Sequence, residues 1–248
     1  MRADDGGGND KRMTQGIAEP AFETLPREQL EDMRRAGDEV AECHRVLRKA
    51  GLNVVGELLK HQGKFVQLSH YPKGDVFDRD THAQYSSHAH RAGEHGHFHC
   101  FLRAAGMPAG VAPVPEATGR DWPAGDKALA HLIAISMDRH GNAIKLFTTN
   151  QWVTGETFYP ADSVIAMLDR FVIDHAWPSW PTNRWVSAMM RLFRPQIEAL
   201  IRARDLAIEK RRAQDPQSDI FTDRQLETIS ETAIDVEAQR ARIARALG

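Results

Sequence analysis

The stretch that most constrains this chain is Glu94-His-Gly-His-Phe-His-Cys-Phe-Leu-Arg103. Histidine occupies positions 95, 97 and 99, while Phe98, Cys100 and Leu102 alternate with them. A period of two belongs to a strand, whose successive side chains point to opposite faces of a sheet. One face is apolar and belongs to a core, and the other is a row of imidazoles. The same period appears just upstream in His82-Ala-Gln-Tyr-Ser-Ser-His-Ala-His-Arg91, where His88 and His90 share a face. Ala92-Gly93 lies between the two segments and suits a two-residue hairpin loop. Such a loop pairs Arg91 with Glu94, His90 with His95, His88 with His97 and Ser86 with His99. Directly opposed residues lie on one face of an antiparallel pair. The rows therefore merge into a patch of five imidazoles, His88, His90, His95, His97 and His99. A loop of odd length would send the rows to opposite faces.

Six of the twelve histidines fall between His82 and His99. Protonated together, the five facing rings repel. Neutral, they present nitrogen lone pairs to a metal. The expected cofactor is a divalent transition metal, zinc or iron before nickel or copper, held by a subset of the five. A hydrogen-bonded polar face and metal-free histidine chemistry stand beside that reading. Arg91 is a candidate for holding an anionic small-molecule substrate through two parallel hydrogen bonds. Cys100 is on the wrong face to join and reads as a small core residue. Strand parity puts His131 with Ile133 and Ile135, as a buried, hydrogen-bonded side chain.

The rest of the chain suggests an α+β protein with a mainly antiparallel sheet of five or six strands, N-terminal helices and a C-terminal helical segment. Residues 1–20 read as a disordered tail and 21–205 as one domain with the histidine hairpin at 82–103. A helix is expected from about Pro26 to Lys49 and a short one over Val54–Lys60. Further strands are expected over Lys64–Tyr71, Ala128–Asp138, Ala143–Asn150 and Gln151–Tyr159. Residues 104–126, with several glycines and prolines, read as a long loop. A helix opens at Asp162 or Ser163, and a second runs from Asn183 towards Arg212, bent at Pro195. Residues 206–248 read as a helical appendage. Thr222-Asp-Arg-Gln225 has the pattern of a capping box. Leu226, Ile229, Ala233, Val236, Ile243 and Leu247 follow in steps of three and four, interrupted by Arg240. That seam packs on the preceding helix or on a second copy as a homodimer.

A net charge of −2 excludes the basic excess of a nucleic-acid coat. No apolar run approaches a membrane span, and the first residues lack the apolar stretch of a signal peptide. Two cysteines suit a reducing compartment, so the expected location is cytoplasmic. The chain shows no P-loop, no dinucleotide-binding glycine motif and no CxxC.

Three resemblances attach to these residues. His88-Ala-His90-Arg-Ala-Gly-Glu94 is similar to one half of a cupin metal motif, which implies a metal held inside a β-barrel. His95-Gly-His97-Phe-His99 resembles the histidine-triad pattern, which implies that His97 attacks a nucleotide phosphate and its neighbours support it. The stretches at 70–103, 146–156 and 184–205 resemble a family of uncharacterised, mainly proteobacterial proteins, a domain of unknown function. That resemblance covers most of the chain and implies no activity. The function expected from the residues is a metal-binding enzyme acting on a small molecule. A metal-free nucleotide hydrolase or transferase using His97, and a non-catalytic interaction protein with structural histidines, are the alternatives.

Overall fold

The computed structural model describes residues 14–60, 62, 66, 69–88, 94–117 and 122–248. Six strands form one antiparallel sheet in chain order: β1 (Tyr71–Phe77), β2 (Ala83–His88), β3 (His97–Arg103), β4 (Leu129–Met137), β5 (Ala143–Thr149) and β6 (Thr228–Ala233). The β2–β3 register is the one expected from the alternation, with His88 opposite His97 and Ser86 opposite His99. This is an open meander. The barrel implied by the cupin resemblance does not form among the described residues.

One sheet face is apolar. Tyr85, Phe98, Cys100, Leu102, Ile133, Ile135 and Leu146 are all inaccessible to solvent and belong to the main core. Helices α5 (Trp180–Leu192) and α6 (Arg194–Gln214) cover them. The Phe98 ring meets Trp185 with centroids 5.5 Å apart. The buried Tyr85 hydroxyl donates to Asn183 Oδ1 at 2.7 Å, which satisfies the one polar atom of that ring. Helix α1 (Arg27–Lys49) lies on α5, and α7 (Val236–Leu247) lies on α1. Arg191 bridges Asp32 and Glu39 across the α1–α5 contact. These partly exposed pairs add little, and burial of Leu30, Met33, Val40 and Leu47 does most to hold the helix. Cys43 and Cys100 are free and buried, as packing residues. Burial pushes the Cys43 thiol up to about 11.

Several segments differ from expectation. Strand β1 begins at Tyr71, where the expected strand over Lys64–Tyr71 ends, and residues 63–65, 67 and 68 lie outside the described ones. Of the expected tail, residues 1–13 lie outside the description, while Gln15 forms a parallel bridge to Ser230 and Ile17 packs on the core. Residues after Asn150 form a one-turn helix, α3 (Gln151–Thr154), rather than a strand. Asn150 caps it, and Gly155 ends it with a left-handed φ of 62°. The single bent helix expected through Pro195 is two helices, α5 and α6, joined at Phe193, with Pro195 in the first turn of α6.

The largest difference lies in the C-terminal segment. Residues 206–248 are not a helical appendage. They contain β6, which pairs with β5 and completes the sheet. Asp219 caps a single short turn over Ile220–Thr222, and the Thr222–Gln225 pattern opens no helix. The helix begins later, where Asp235 accepts from Ala238 N–H at 2.8 Å. Leu226 and Ile229 are buried in a second, smaller core with Phe158, Ile208 and Phe221. Ile243 of α7 is buried in the main core.

Helix α2 (Val54–Leu59) precedes the sheet and α4 (Ala161–Met167) packs on α6. The described residues of 104–127 carry three single turns, and the segment docks through Val114 N–H to Phe158 C=O at 2.9 Å. Met107, Pro108, Val111, Trp122 and Tyr159 line a cavity of about 470 Å³, and among the described residues no histidine contributes to its wall. Gly106 marks a close approach in this segment. A Cβ built there would lie 2.4 Å from the Thr81 carbonyl oxygen. Gly106→Ala is expected to destabilise the protein by about 2 kcal/mol, because backbone must move to admit the methyl group. An unchanged urea midpoint would contradict that close approach.

Candidate metal centre

The other sheet face carries the histidines. His97 and His99 stand two residues apart on β3, and His88 faces His97 from β2. His97 and His99 are buried and His88 is partly exposed. One nitrogen from each of His88, His97 and His99 lies within 4.8 Å of the other two. The Nε2 atoms of His88 and His97 are 3.0 Å apart. Two imidazole nitrogens that close need a proton or a metal between them, since two lone pairs repel. Tetrahedral bonds of about 2.0–2.1 Å put ligand nitrogens about 3.3 Å apart, so small ring rotations bring the three into range. The three-histidine group can hold a metal ion.

The Nδ1 atoms of His97 and His99 are engaged in the way that metal-bound imidazoles require. His97 Nδ1 meets the Glu94 carboxylate, whose side chain is almost completely buried. His99 Nδ1 meets His131 Nε2 at 3.0 Å, and His131 Nδ1 lies 3.4 Å from Thr149 Oγ1. These contacts are consistent with His99 donating to His131 and His131 donating to Thr149, a relay that fixes the orientation of the His99 ring. The Phe147 ring walls the pair, with centroids 5.4 Å from His97 and 6.0 Å from His99.

His131 reaches this face because β4 is bulged. Cys100 pairs with Ile133, yet the next residue, Phe101, pairs with His131. Leu132 is the extra residue, and it reverses the alternation. His131 therefore faces away from Ile133 and Ile135, contrary to simple parity. Bulges commonly re-aim one side chain beside a functional site. The His131 N–H donates to Glu156 Oε2 at 2.9 Å. Glu156 is completely buried, and loss of hydration raises its carboxyl from 4.5 to about 7, against the nearby Arg204 charge.

The five expected ligands are thus divided. His88, His97 and His99 converge. His95 is exposed, because Gly96, at φ 104, breaks the strand before β3 begins. His90 and the proposed substrate residue Arg91 lie outside the described residues. Parity along the hairpin set Glu94 opposite Arg91, whereas the turn before β3 brings its carboxylate under His97. Its place in the cupin-like spacing was the one sequence signal for it. His131 carried no reliable signal, because a bulge cannot be read from the alternation that it interrupts.

The chain belongs to the family described as Domain of unknown function (DUF6969), whose profile matches residues 34–234. The matched region includes all six strands and the three converging histidines. No curated protein and no solved structure matches the chain. No helix among the described residues is long and apolar enough to cross a membrane.

Proposed function

We propose that this protein binds one divalent transition metal, zinc or iron before nickel or copper, through His88, His97 and His99, and uses it on a small molecule. The convergence of three imidazole nitrogens within 4.8 Å on a mostly buried face carries this reading. An all-imidazole donor set suits these metals. Three protein ligands leave room for a small ligand, and a bound metal would supply Lewis acidity towards its oxygen. Glu94 orients His97, and His131 with Thr149 orients His99. The buried, reduced cysteines fit a cytoplasmic setting.

The metal-free alternative uses the same His97. Its Nδ1 rests on a carboxylate, so a nucleophilic mechanism would act through Nε2, the nitrogen that meets His88 Nε2 at 3.0 Å. The burial of His97 favours the metal, since a phosphate would have to reach an enclosed ring.

Metal content separates the two. Untagged protein purified without chelator or nickel resin is expected to carry near-stoichiometric metal by mass spectrometry. The His88→Ala/His97→Ala variant is expected to lose it while keeping its circular dichroism spectrum. Absence of metal after reconstitution with zinc, or with iron under anaerobic conditions, would overturn the proposal. A covalent nucleotidyl adduct on His97 would establish the alternative.

A further inference from the structure

A second line of polar residues runs towards the metal centre from the β1 edge of the sheet. Asp75 has φ 59, in the left-handed region that residues other than glycine seldom occupy. Gly74 before it is left-handed as well, and the β1–β2 register shifts between Tyr71 and Val76. One oxygen of the Asp75 carboxylate meets His70 Nδ1 at 2.9 Å. The other accepts from Gln84 Nε2 at 2.8 Å, and Gln84 Oε1 accepts from Arg103 Nε at 2.7 Å. Left-handed backbone at a non-glycine residue persists only where its surroundings hold it, and it gathers at functional sites.

The line ends at the metal centre. The His70 ring is stacked on His88, with centroids 5.2 Å apart and 9° between the planes. His97 and His99 are enclosed, but the His70 side chain is 50% exposed. Among the described residues, His70 is therefore the histidine that both touches the triad and faces solvent. With Asp75 accepting from Nδ1–H, the neutral ring presents its lone pair at Nε2. A surface His–Asp pair adds little stability by itself. Here Asp75, Gln84, Arg103 and a strained backbone hold one ring against a candidate ligand, an arrangement better explained by orientation than by stability.

We propose that His70, oriented by Asp75, is the hydrogen-bond acceptor at the mouth of the metal centre. The ligand it receives is a small molecule carrying an N–H or O–H beside its metal-binding oxygen, as in hydroxamates and hydroxy acids. This rests on the metal reading above. His70 is the ligand-binding residue, and Asp75 is a positioning residue that acts through it.

The test uses the full chain loaded with Co²⁺ and titrated with acetohydroxamate and, separately, with azide, followed by visible absorption. Acetohydroxamate carries a donor for His70, whereas the azide anion has none and reports on the metal alone. His70→Phe keeps an aromatic ring against His88. It is expected to load Co²⁺ as the parent does, to weaken acetohydroxamate about tenfold and to leave azide within about twofold. Asp75→Asn tolerates the left-handed backbone and is expected to show the same selective loss. Equal changes for both ligands, or no change for either, would overturn the inference while leaving the metal site standing. A parent chain that takes up no Co²⁺ would overturn both.

Discussion

Trp185→Ala is expected to lower the stability of the folded chain by about 3–5 kcal/mol, the usual cost of emptying a large aromatic site. Trp185 is completely buried where α5 meets the sheet, with the Phe98 ring 5.5 Å away and His44 at 6.0 Å. Inward collapse of α5 is opposed by its packing on α1 and by the buried hydrogen bond from Tyr85 to Asn183. Trp185→Phe should cost much less, about 1 kcal/mol. The smaller ring loses contacts, but the substitution also removes an indole N–H that has no hydrogen-bond partner among the described residues. Urea unfolding followed by circular dichroism compares the two. Similar losses for both variants would mean that α5 does not pack on the sheet through this residue.

Glu156→Gln is expected to make stability less dependent on pH. The folded chain raises this carboxyl from 4.5 to about 7, so the folded state holds the proton more tightly than the unfolded one does. The wild-type contribution is then most favourable below about pH 4.5 and is lost as pH climbs through 7. The full effect is about 3 kcal/mol, from roughly 1.4 kcal/mol per pH unit. Glutamine can keep both contacts, since its oxygen accepts from His131 N–H and its amide can donate to Thr154 Oγ1. The variant should match the wild type near pH 4.5 and exceed it above pH 7. Urea midpoints of both proteins between pH 4.5 and 8 measure the gap, and a gap that stays constant would refute the buried charge as its cause.

The region around Glu156 shows how the candidate site depends on long-range contacts. Glu156 lies after the short helix α3, and its carboxylate reaches the backbone of His131, 25 residues earlier. It supports the N–H of a residue at the β4 bulge, and that residue in turn touches His99. Nothing in the local sequence around Glu156 or His131 announces this link.

Local alternation is enough to give the β2–β3 pairing and its two faces. Alternation of His with Phe98, Cys100 and Leu102 admits only one side of a strand for each set, and an even loop admits only one merging of the two rows. His88 opposite His97 follows from those two rules. The helix over Arg27–Lys49 is equally local, since its apolar positions repeat at the helical period. Contacts between distant segments settle what those rules leave open. Leu226, Ile229 and Ala233 fit steps of three and four, yet Thr228–Ala233 became a strand because the edge of β5 offered it hydrogen bonds. Its β-branched Thr228, Ile229 and Thr232 were the overlooked sign, a weak one because strand propensity depends on context. The β4 bulge decided that His131 joins the histidines instead of the core, and the turn at Gly96 decided that Glu94 joins while His95 does not. Periodicity reports which face a residue takes within one regular element. Bulges, turns and the choice of partner strand depend on residues distant in the chain, and these completed the site.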